Sequence, residues 1–172
     1  MSLDLSNFKK DLSELGIELS DQQLDQFVTY YELLVEWNSF MNLTAITEWE
    51  EVCKKHFVDC LSITNLIPFD ELSKMNCSVI DVGTGAGFPG LVLAIAFPNL
   101  QITLLDSLNK RIKFLNEVIE KLKTKGVMLG IASGRNLCAI SPSFPDTYHK
   151  MAIVASNGTS VFVNGEKVFG TY

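Results

Sequence analysis

The sequence lacks several features that would place it in common classes of protein. No apolar run reaches the roughly 20 residues that a membrane-spanning helix needs, and the first residues show no signal-peptide pattern. These absences predict a cytoplasmic protein without a membrane partner. Cysteine is scarce and forms no C-x-x-C pair, which predicts reduced thiols. The cysteines are Cys53, Cys60, Cys77 and Cys138.

Positive charge is also in short supply. The formal net charge is −6, which argues against a protein that is basic over its whole surface and binds nucleic acid through it. One stretch departs from this balance, because seven basic residues accompany two acidic ones between Lys110 and Arg135. The cluster is either a solvated helix face with a Glu117–Lys121 pair or a phosphate-facing patch. The sequence leaves both interpretations open.

The composition fits one globular domain that begins with helices. Hydrophobic residues make up 47% of the 172 residues and charged residues 20%, enough for a single core. Apolar residues recur at helical spacing up to Gly16, a typical C-terminal cap. Ser20 with Gln23 forms a capping box for the next helix, and Thr47 with Glu50 predicts a further one. The apolar stripe of the second helix, which predicts a core-facing side, comprises Leu24, Phe27, Val28, Tyr31, Leu34 and Val35.

One potential metal site falls in the helix after Thr47. Cys53, His56 and Cys60 are spaced to share a helix face. Three ligands on one rigid helix rarely close a tetrahedral site, and no partner pair follows downstream, so no metal is expected. His56 and Asp59 are spaced to pair at i, i+3, which would orient the imidazole.

The most informative stretch is a strand, a glycine-rich turn and a helix. The β-branched run Ser78–Val82 predicts a buried parallel strand, and the apolar residues 91–97 predict a buried helix. The turn between them lets backbone N–H groups approach a ligand closely. Gly85, Gly87 and Gly90 fit the dinucleotide fingerprint G-x-G-x-x-G, so the glycines alone do not identify the ligand.

Two carboxylates accompany this turn. Asp81 lies two residues before the first glycine, Gly83. Asp106 ends a second predicted strand, Gln101–Asp106, and follows Gly87 by 19 residues. At about that spacing an acidic side chain meets a ribose diol. Because adenosine nucleosides and NAD both carry the diol, the residues predict nucleoside binding and leave the choice open.

Four motifs in order resemble those of the glucose-inhibited division protein B family, bacterial methyltransferases that modify a guanine N7 of small-subunit ribosomal RNA. The resemblance covers about residues 1–122. The motifs are W-N-x-x-x-N-L-T (37–44), H-F-x-D-x-L (56–61), D-V-G-T-G-A-G-F-P-G (81–90) and L-L-D-S-L-x-K-R (104–111).

The resemblance implies an S-adenosylmethionine-dependent rRNA methyltransferase. It implies an α/β fold in which an N-terminal helical cap precedes a doubly wound, Rossmann-like sheet. Asp81 would face the methionine end of the cofactor and Asp106 the ribose. The cofactor loop would consist of Gly83, Gly85, Gly87 and Phe88.

After Leu122 the pattern changes. Residues 126–135 and 153–158 resemble Cof-type phosphatases of the haloacid dehalogenase superfamily. In that resemblance Ser133 matches a phosphate-contacting hydroxyl. A working phosphatase is not expected, because the D-x-D-G-T motif needs a second carboxylate where this chain has Gly83. Strands are predicted at Val127–Ala132 and Ala152–Ala155, and Asn164-Gly165 predicts a C-terminal hairpin.

The sequence therefore predicts a single domain over residues 1–172. Residues 1–66 form the helical cap, 67–122 the cofactor-binding half and 123–172 an atypical tail that leaves the sheet altered at its C-terminal side. Three functions stay open. They are methyl transfer to small-subunit ribosomal RNA, nucleoside binding without catalysis, and an NAD-dependent oxidoreductase that uses the same glycines.

Overall fold

The chain folds as a helical N-terminal part that packs on a six-stranded sheet. The computed structural model describes residues 3–75, 77–124 and 126–170. Its helices are α1 (Ser6–Glu14), α2 (Asp21–Met41), α3 (Trp49–Val52), α4 (Asp59–Leu61), α5 (Phe69–Lys74), α6 (Gly90–Ala96), α7 (Asn109–Leu122) and α8 (Leu137–Ile140). Its strands are β1 (Ser78–Val82), β2 (Gln101–Asp106), β3 (Val127–Ala132), β4 (Ala152–Ala155), β5 (Ser160–Val163) and β6 (Glu166–Gly170).

The predicted ends of the first two helices are confirmed. α1 ends just before Gly16, whose φ of 70° suits a residue without a Cβ. α2 begins with a complete capping box, in which Ser20 and Gln23 bond to each other's backbone N–H. The prediction that Thr47 caps the next helix is wrong. α3 begins at Trp49 after the N-cap residue Glu48, and no side chain caps it. Thr47 lies one residue too early to be the N-cap, and its carbonyl accepts a bond from the Tyr31 hydroxyl.

Between α3 and α4 the helix widens to a π-helical segment, Cys53–Val58. Such a segment shifts side chains out of the α-helical register. Phe57 turns into the core with no exposed surface and contacts the rings of Phe8, Phe27 and Tyr30. The helical part therefore has an aromatic core of its own, which extends toward the sheet.

All the predicted strands are found, but the prediction that β1 is buried is wrong, because β1 lies at the edge of the sheet with no described strand beyond it. β1 to β4 pair in parallel, and β5 and β6 add as an antiparallel hairpin. The hairpin turns at Asn164 and Gly165, whose φ values of 52° and 82° are those of a type I′ turn. The α/β, Rossmann-like fold class is therefore confirmed.

The order of the strands is where the C-terminal side is altered. A doubly wound sheet reverses direction, so that a later strand pairs beside the first. Here the described strands lie in chain order, and β4 pairs with β3 through Gly130 and Ala152. β1 is left at the edge of the sheet. The described strands therefore do not form the doubly wound order that was expected, and the sheet is altered on its C-terminal side as the sequence predicted.

The two faces of the sheet differ in burial. On one face Ile102, Leu104 and Ile131 are buried, and α6 and α7 pack there. On the other face Ile80 is 64% exposed and Val82 72% exposed. The core thus lies on the helical side. Among the described residues, no helix is long and apolar enough to cross a membrane.

Gln23 joins the helical part to the sheet. Its side-chain NH2 donates to the carbonyl oxygens of Ile95 and Ala96, at 2.8 and 3.0 Å. Those carbonyls belong to the last turn of α6, where a helix leaves acceptors unpaired. The same side chain accepts the bond from the Ser20 backbone N–H at 3.0 Å. One side chain therefore satisfies the start of α2 and the end of α6.

We expect Gln23→Ala to destabilise the protein by about 1–3 kcal/mol, because partly buried carbonyls lose their donor. Gln22→Ala is the matched control, since Gln22 is exposed one position earlier in α2 and the helix propensity changes equally. Urea unfolding followed by circular dichroism measures both. Equal midpoints for the two variants would contradict the assignment.

Candidate functional site

The glycine-rich turn between β1 and α6 requires glycine at several positions. Gly83, Gly85 and Gly87 have φ values of 79°, 61° and 101°, a region that other residues avoid. The turn is also fixed to β2, because the Leu105 carbonyl accepts bonds from the N–H groups of Gly83 and Thr84, at 2.7 and 3.2 Å. The turn is therefore a defined structure and not a loose connection.

The glycines divide into two pairs by what surrounds them. A Cβ at Gly87 would meet the side chains of Leu91 and Tyr30, and a Cβ at Gly90 would collide with Leu104. Those two glycines serve packing. At Gly83 a Cβ would meet nothing within 4 Å, and at Gly85 only a carbonyl 3.9 Å away. The loop therefore has a packed side and an open side, and the open side can receive a ligand.

Asp81 stabilises the turn through two hydrogen bonds. Its Oδ2 accepts bonds from the Thr84 hydroxyl at 2.6 Å and from the Gly90 N–H at 2.9 Å. Thr84 is buried, so this pair is shielded from water. The carboxylate thus ties the start of the turn to the first residue of α6. The sequence had assigned Asp81 to the ligand, and the structure adds a bond to each end of the loop.

Asp106 lies directly beside the loop and is 3% exposed. Its Oδ2 accepts from the Gly85 N–H at 2.9 Å and from the Arg111 guanidinium at 3.3 Å, and its Oδ1 accepts from the Leu108 N–H at 2.9 Å. A buried carboxylate needs such donors. The structure therefore brings the two predicted site residues Gly85 and Asp106 together, with Arg111 as their partner.

Phe88 connects the loop to the helical part. Its ring lies 4.7 Å from the ring of His56 and 5.7 Å from that of Tyr30. The Tyr30 hydroxyl donates to the Ala86 carbonyl at 2.5 Å. Burial raises the pKa of Tyr30, so the hydroxyl keeps its proton. The expected stripe of α2 missed Tyr30, although its spacing of three from Phe27 fits the helical period.

His56 bonds to Thr44 and not to Asp59 as its spacing had suggested. The His56 Nε2 lies 2.8 Å from the Thr44 hydroxyl. Burial raises the pKa of the Cys60 thiol to about 12 and also raises that of Cys53, so neither is a thiolate at neutral pH. Within the part of the chain that the structure describes, no three acidic, histidine or cysteine side chains converge on a metal position.

A cavity of about 250 Å³ lies at the carboxyl ends of β2 and β3. Ser107, Asn109, Ser133 and Arg135 contribute its polar lining. Ligands of parallel α/β sheets bind at this end of the strands. The lining begins at Ser107, the residue after Asp106, and the residues of the glycine loop do not belong to it.

The basic cluster lies on α7 and beyond. Lys110, Lys113, Lys121 and Arg135 are exposed, whereas Arg111 is half-buried against Asp106. Lys125 lies outside the described residues. The exposed members are available to phosphates, and the structure keeps both interpretations of the cluster open.

Four parallel strands, with a glycine turn after the first and a carboxylate at the end of the second, define a Rossmann-like fold, a class that in other proteins binds nucleotides at these positions. The family model described as rRNA small subunit methyltransferase G matches residues 23–130. The chain belongs to this family, as the sequence motifs predicted.

Curated relatives agree. A ribosomal RNA small subunit methyltransferase G of Lachnoclostridium phytofermentans is 55% identical over 124 residues, which are 72% of this chain and 50% of that protein. The protein of the same name from Clostridium perfringens is 53% identical over 119 residues, 69% of this chain and 48% of that one. The protein of the same name from Bacillus cytotoxicus is 51% identical over 125 residues, which are 73% of this chain and 51% of that protein. The chain spans about half the length of these relatives.

The C-terminal part is similar to a second family. The family model described as haloacid dehalogenase-like hydrolase matches residues 101–172. This match agrees with the resemblance to Cof-type phosphatases that the sequence shows after Leu122. The two matches overlap over β2, α7 and the first part of β3. The overlap is physically reasonable, because a strand, an amphipathic helix and a parallel strand form a unit that many α/β folds share.

Arg111→Met tests the charge pair with Asp106. We expect a loss of about 1–2 kcal/mol in the free energy of unfolding, because Asp106 keeps two backbone donors and Arg111 is 40% exposed. Lys113→Met is the matched control on the exposed side of α7. Chemical denaturation of both variants gives the comparison, and a Lys113→Met loss as large as that of Arg111→Met would rule out the pair.

Proposed function

We propose that this chain carries the S-adenosylmethionine-binding part of an rRNA methyltransferase. The observation that carries the proposal is the open side of the glycine loop beside a buried strand-end carboxylate. Gly83 and Gly85 leave space where any other side chain would intrude, and Asp106 lies next to Gly85. Membership of the methyltransferase family favours this cofactor over NAD, which the glycines alone permit.

The roles of the residues follow from their positions. Gly83, Gly85, Gly87 and Phe88 form the loop along which the cofactor lies. Asp106 faces the ribose diol, and Asp81, at the end of β1, serves the methionine end while it holds the loop closed. The cavity beside Ser133 extends this region toward the base. All of these are cofactor-binding roles, and none of these residues is proposed to be catalytic.

Binding of a ribose diol to Asp106 requires a local rearrangement, because the carboxylate is buried. Its Oδ2 already accepts two bonds, from Gly85 and Arg111, and its Oδ1 accepts one, from Leu108. Oδ1 keeps a lone pair for one hydroxyl of the diol, and a second hydroxyl at Oδ2 displaces the Gly85 N–H or Arg111. Arg111 is the more mobile donor, because its bond is the longest and its side chain is partly exposed. We therefore expect Arg111 to move when a nucleoside binds.

The reaction proposed for the family fold is methyl transfer to a guanine N7 of small-subunit ribosomal RNA. The cofactor supplies an electrophilic methyl group when bound. Guanine N7 carries a lone pair and no proton, so the chain needs no strong base. Its residues instead have to fix the loop and exclude water, which is catalysis by positioning. The exposed lysines of α7 are placed to meet RNA phosphates.

A second candidate, cofactor binding without catalysis, is favoured by the altered sheet. β4 lies beside β3 and not beside β1, and the chain after residue 130 no longer matches the methyltransferase family. The end of β3 carries Ser133 and Arg135 where the resembling family has an acidic residue near the adenine. In this proposal the methionine and ribose sides of the cofactor site lie before Leu122, whereas the adenine side lies at the end of β3, where the family match stops.

Calorimetry with S-adenosylhomocysteine tests the loop. We expect the wild-type chain to bind it and Gly85→Val to lose binding, because a side chain would fill the open side. Gly16→Val is the matched control, since Gly16 has a similar φ of 70° and open space around it, far from the loop. Loss of binding in both variants, or in neither, would contradict the assignment. Titration with NAD separates the oxidoreductase alternative.

A methyl-transfer assay distinguishes an active methyltransferase from a chain that binds the cofactor without catalysis. Small ribosomal subunits are incubated with the chain and labelled S-adenosylmethionine, with a full-length family member as positive control. We expect little or no label in the RNA, because misplacing reacting groups by about 1 Å can cost roughly a hundredfold in rate. Turnover close to that of the control would show that the tail rebuilds the RNA side.

A further inference from the structure

The sequence motif of residues 37–44, at the end of α2, and the motif of residues 56–61, after α3, are in contact through Thr44 and His56. The His56 ring lies against the Phe88 ring at 4.7 Å, with only 21° between their planes. On its other side the His56 Nε2 lies 2.8 Å from the Thr44 hydroxyl. Phe88 belongs to the glycine loop. A line of contacts thus runs from Thr44 through His56 into the loop.

Thr44 is itself held rigidly. Its backbone N–H donates to the Asn38 Oδ1 at 2.9 Å, and its hydroxyl accepts from the Ile46 N–H at 3.0 Å. The hydroxyl keeps one proton and one lone pair for the bond with His56, and the tautomer of the imidazole decides which of them is used. A hydroxyl that is fixed by these neighbours restricts the imidazole to few orientations.

His56 stacks on the Phe88 ring as an uncharged imidazole. Burial lowers the pKa of His56 below its ordinary value, so the ring is neutral at neutral pH. The neighbouring Phe57 is fully buried and contacts Phe88 at 6.3 Å from below. The π-helical segment Cys53–Val58 places these consecutive residues so that both reach the same ring. Phe88 is thereby enclosed by the helical part.

We propose that Thr44 and His56 are positioning residues that hold Phe88, and with it the glycine loop, in the shape that receives the cofactor. The inference rests on the proposed function and gives the two motifs a role on the cofactor side. Direct contact of His56 with RNA is the competing assignment. It makes a different prediction, because an RNA contact would leave the loop unchanged in the free protein.

The test compares Thr44→Val, which removes the hydroxyl at nearly constant shape, with Thr44→Ser, which keeps it. Thr47→Val is the matched control, since Thr47 is exposed three residues later. Two quantities are measured on the full chain: hydrogen exchange of the amides of residues 85–88, and the affinity for S-adenosylhomocysteine. His56→Phe, which keeps the stack and loses the bond, serves as a second variant should Thr44→Val fail to fold.

We expect Thr44→Val to speed exchange in the loop and to weaken binding about three- to tenfold, the range of one hydrogen bond. Thr44→Ser should restore both quantities, and Thr47→Val should change neither. Exchange and affinity equal to wild type in Thr44→Val would overturn the proposal. If the wild-type chain binds no S-adenosylhomocysteine, the proposed function fails, and the exchange comparison alone decides whether these residues hold the loop.

Discussion

The buried carboxylate of Asp106 is the interaction on which the site depends. A charge with 3% exposure cannot stay unpaired, and its donors come from three places: the glycine loop, the start of α7 and the Arg111 side chain. Satisfying one carboxylate therefore fixes the loop after β1 relative to the end of β2. The same carboxylate is the group that the proposed nucleoside site uses, and hydrogen bonds within the protein hold it in one position.

The helical part supports this arrangement from the other side. Tyr30 bonds to the Ala86 carbonyl, and His56 stacks on Phe88, so two helical elements contact the loop within three residues of each other. Gln23 joins α2, the helix that carries Tyr30, to the end of α6. Changes in the helical part should therefore be transmitted to the loop, because rigid packed elements move together.

The sheet shows what the joined tail changes. Each parallel strand adds beside the last one, so the helices between them cover one face and β1 stays at an edge. Ile80 and Val82 consequently remain exposed. An uncovered apolar face and a free strand edge are features that proteins usually protect. The tail satisfies the local rules of strand and hairpin formation, yet it does not supply a second half that covers this face.

The sequence by itself determined the local elements: the capping box of Ser20, all predicted strands and the Asn164-Gly165 turn follow from short-range patterns. It also placed the glycine loop and Asp106, because spacing along the chain fixes which strand ends carry them. Only the tertiary structure decided which strand pairs with which, since β4 can satisfy its backbone beside any parallel neighbour. It likewise decided the partners of Tyr30, His56 and Arg111. Those contacts join residues far apart in the chain, and no local pattern encodes a distance across the fold.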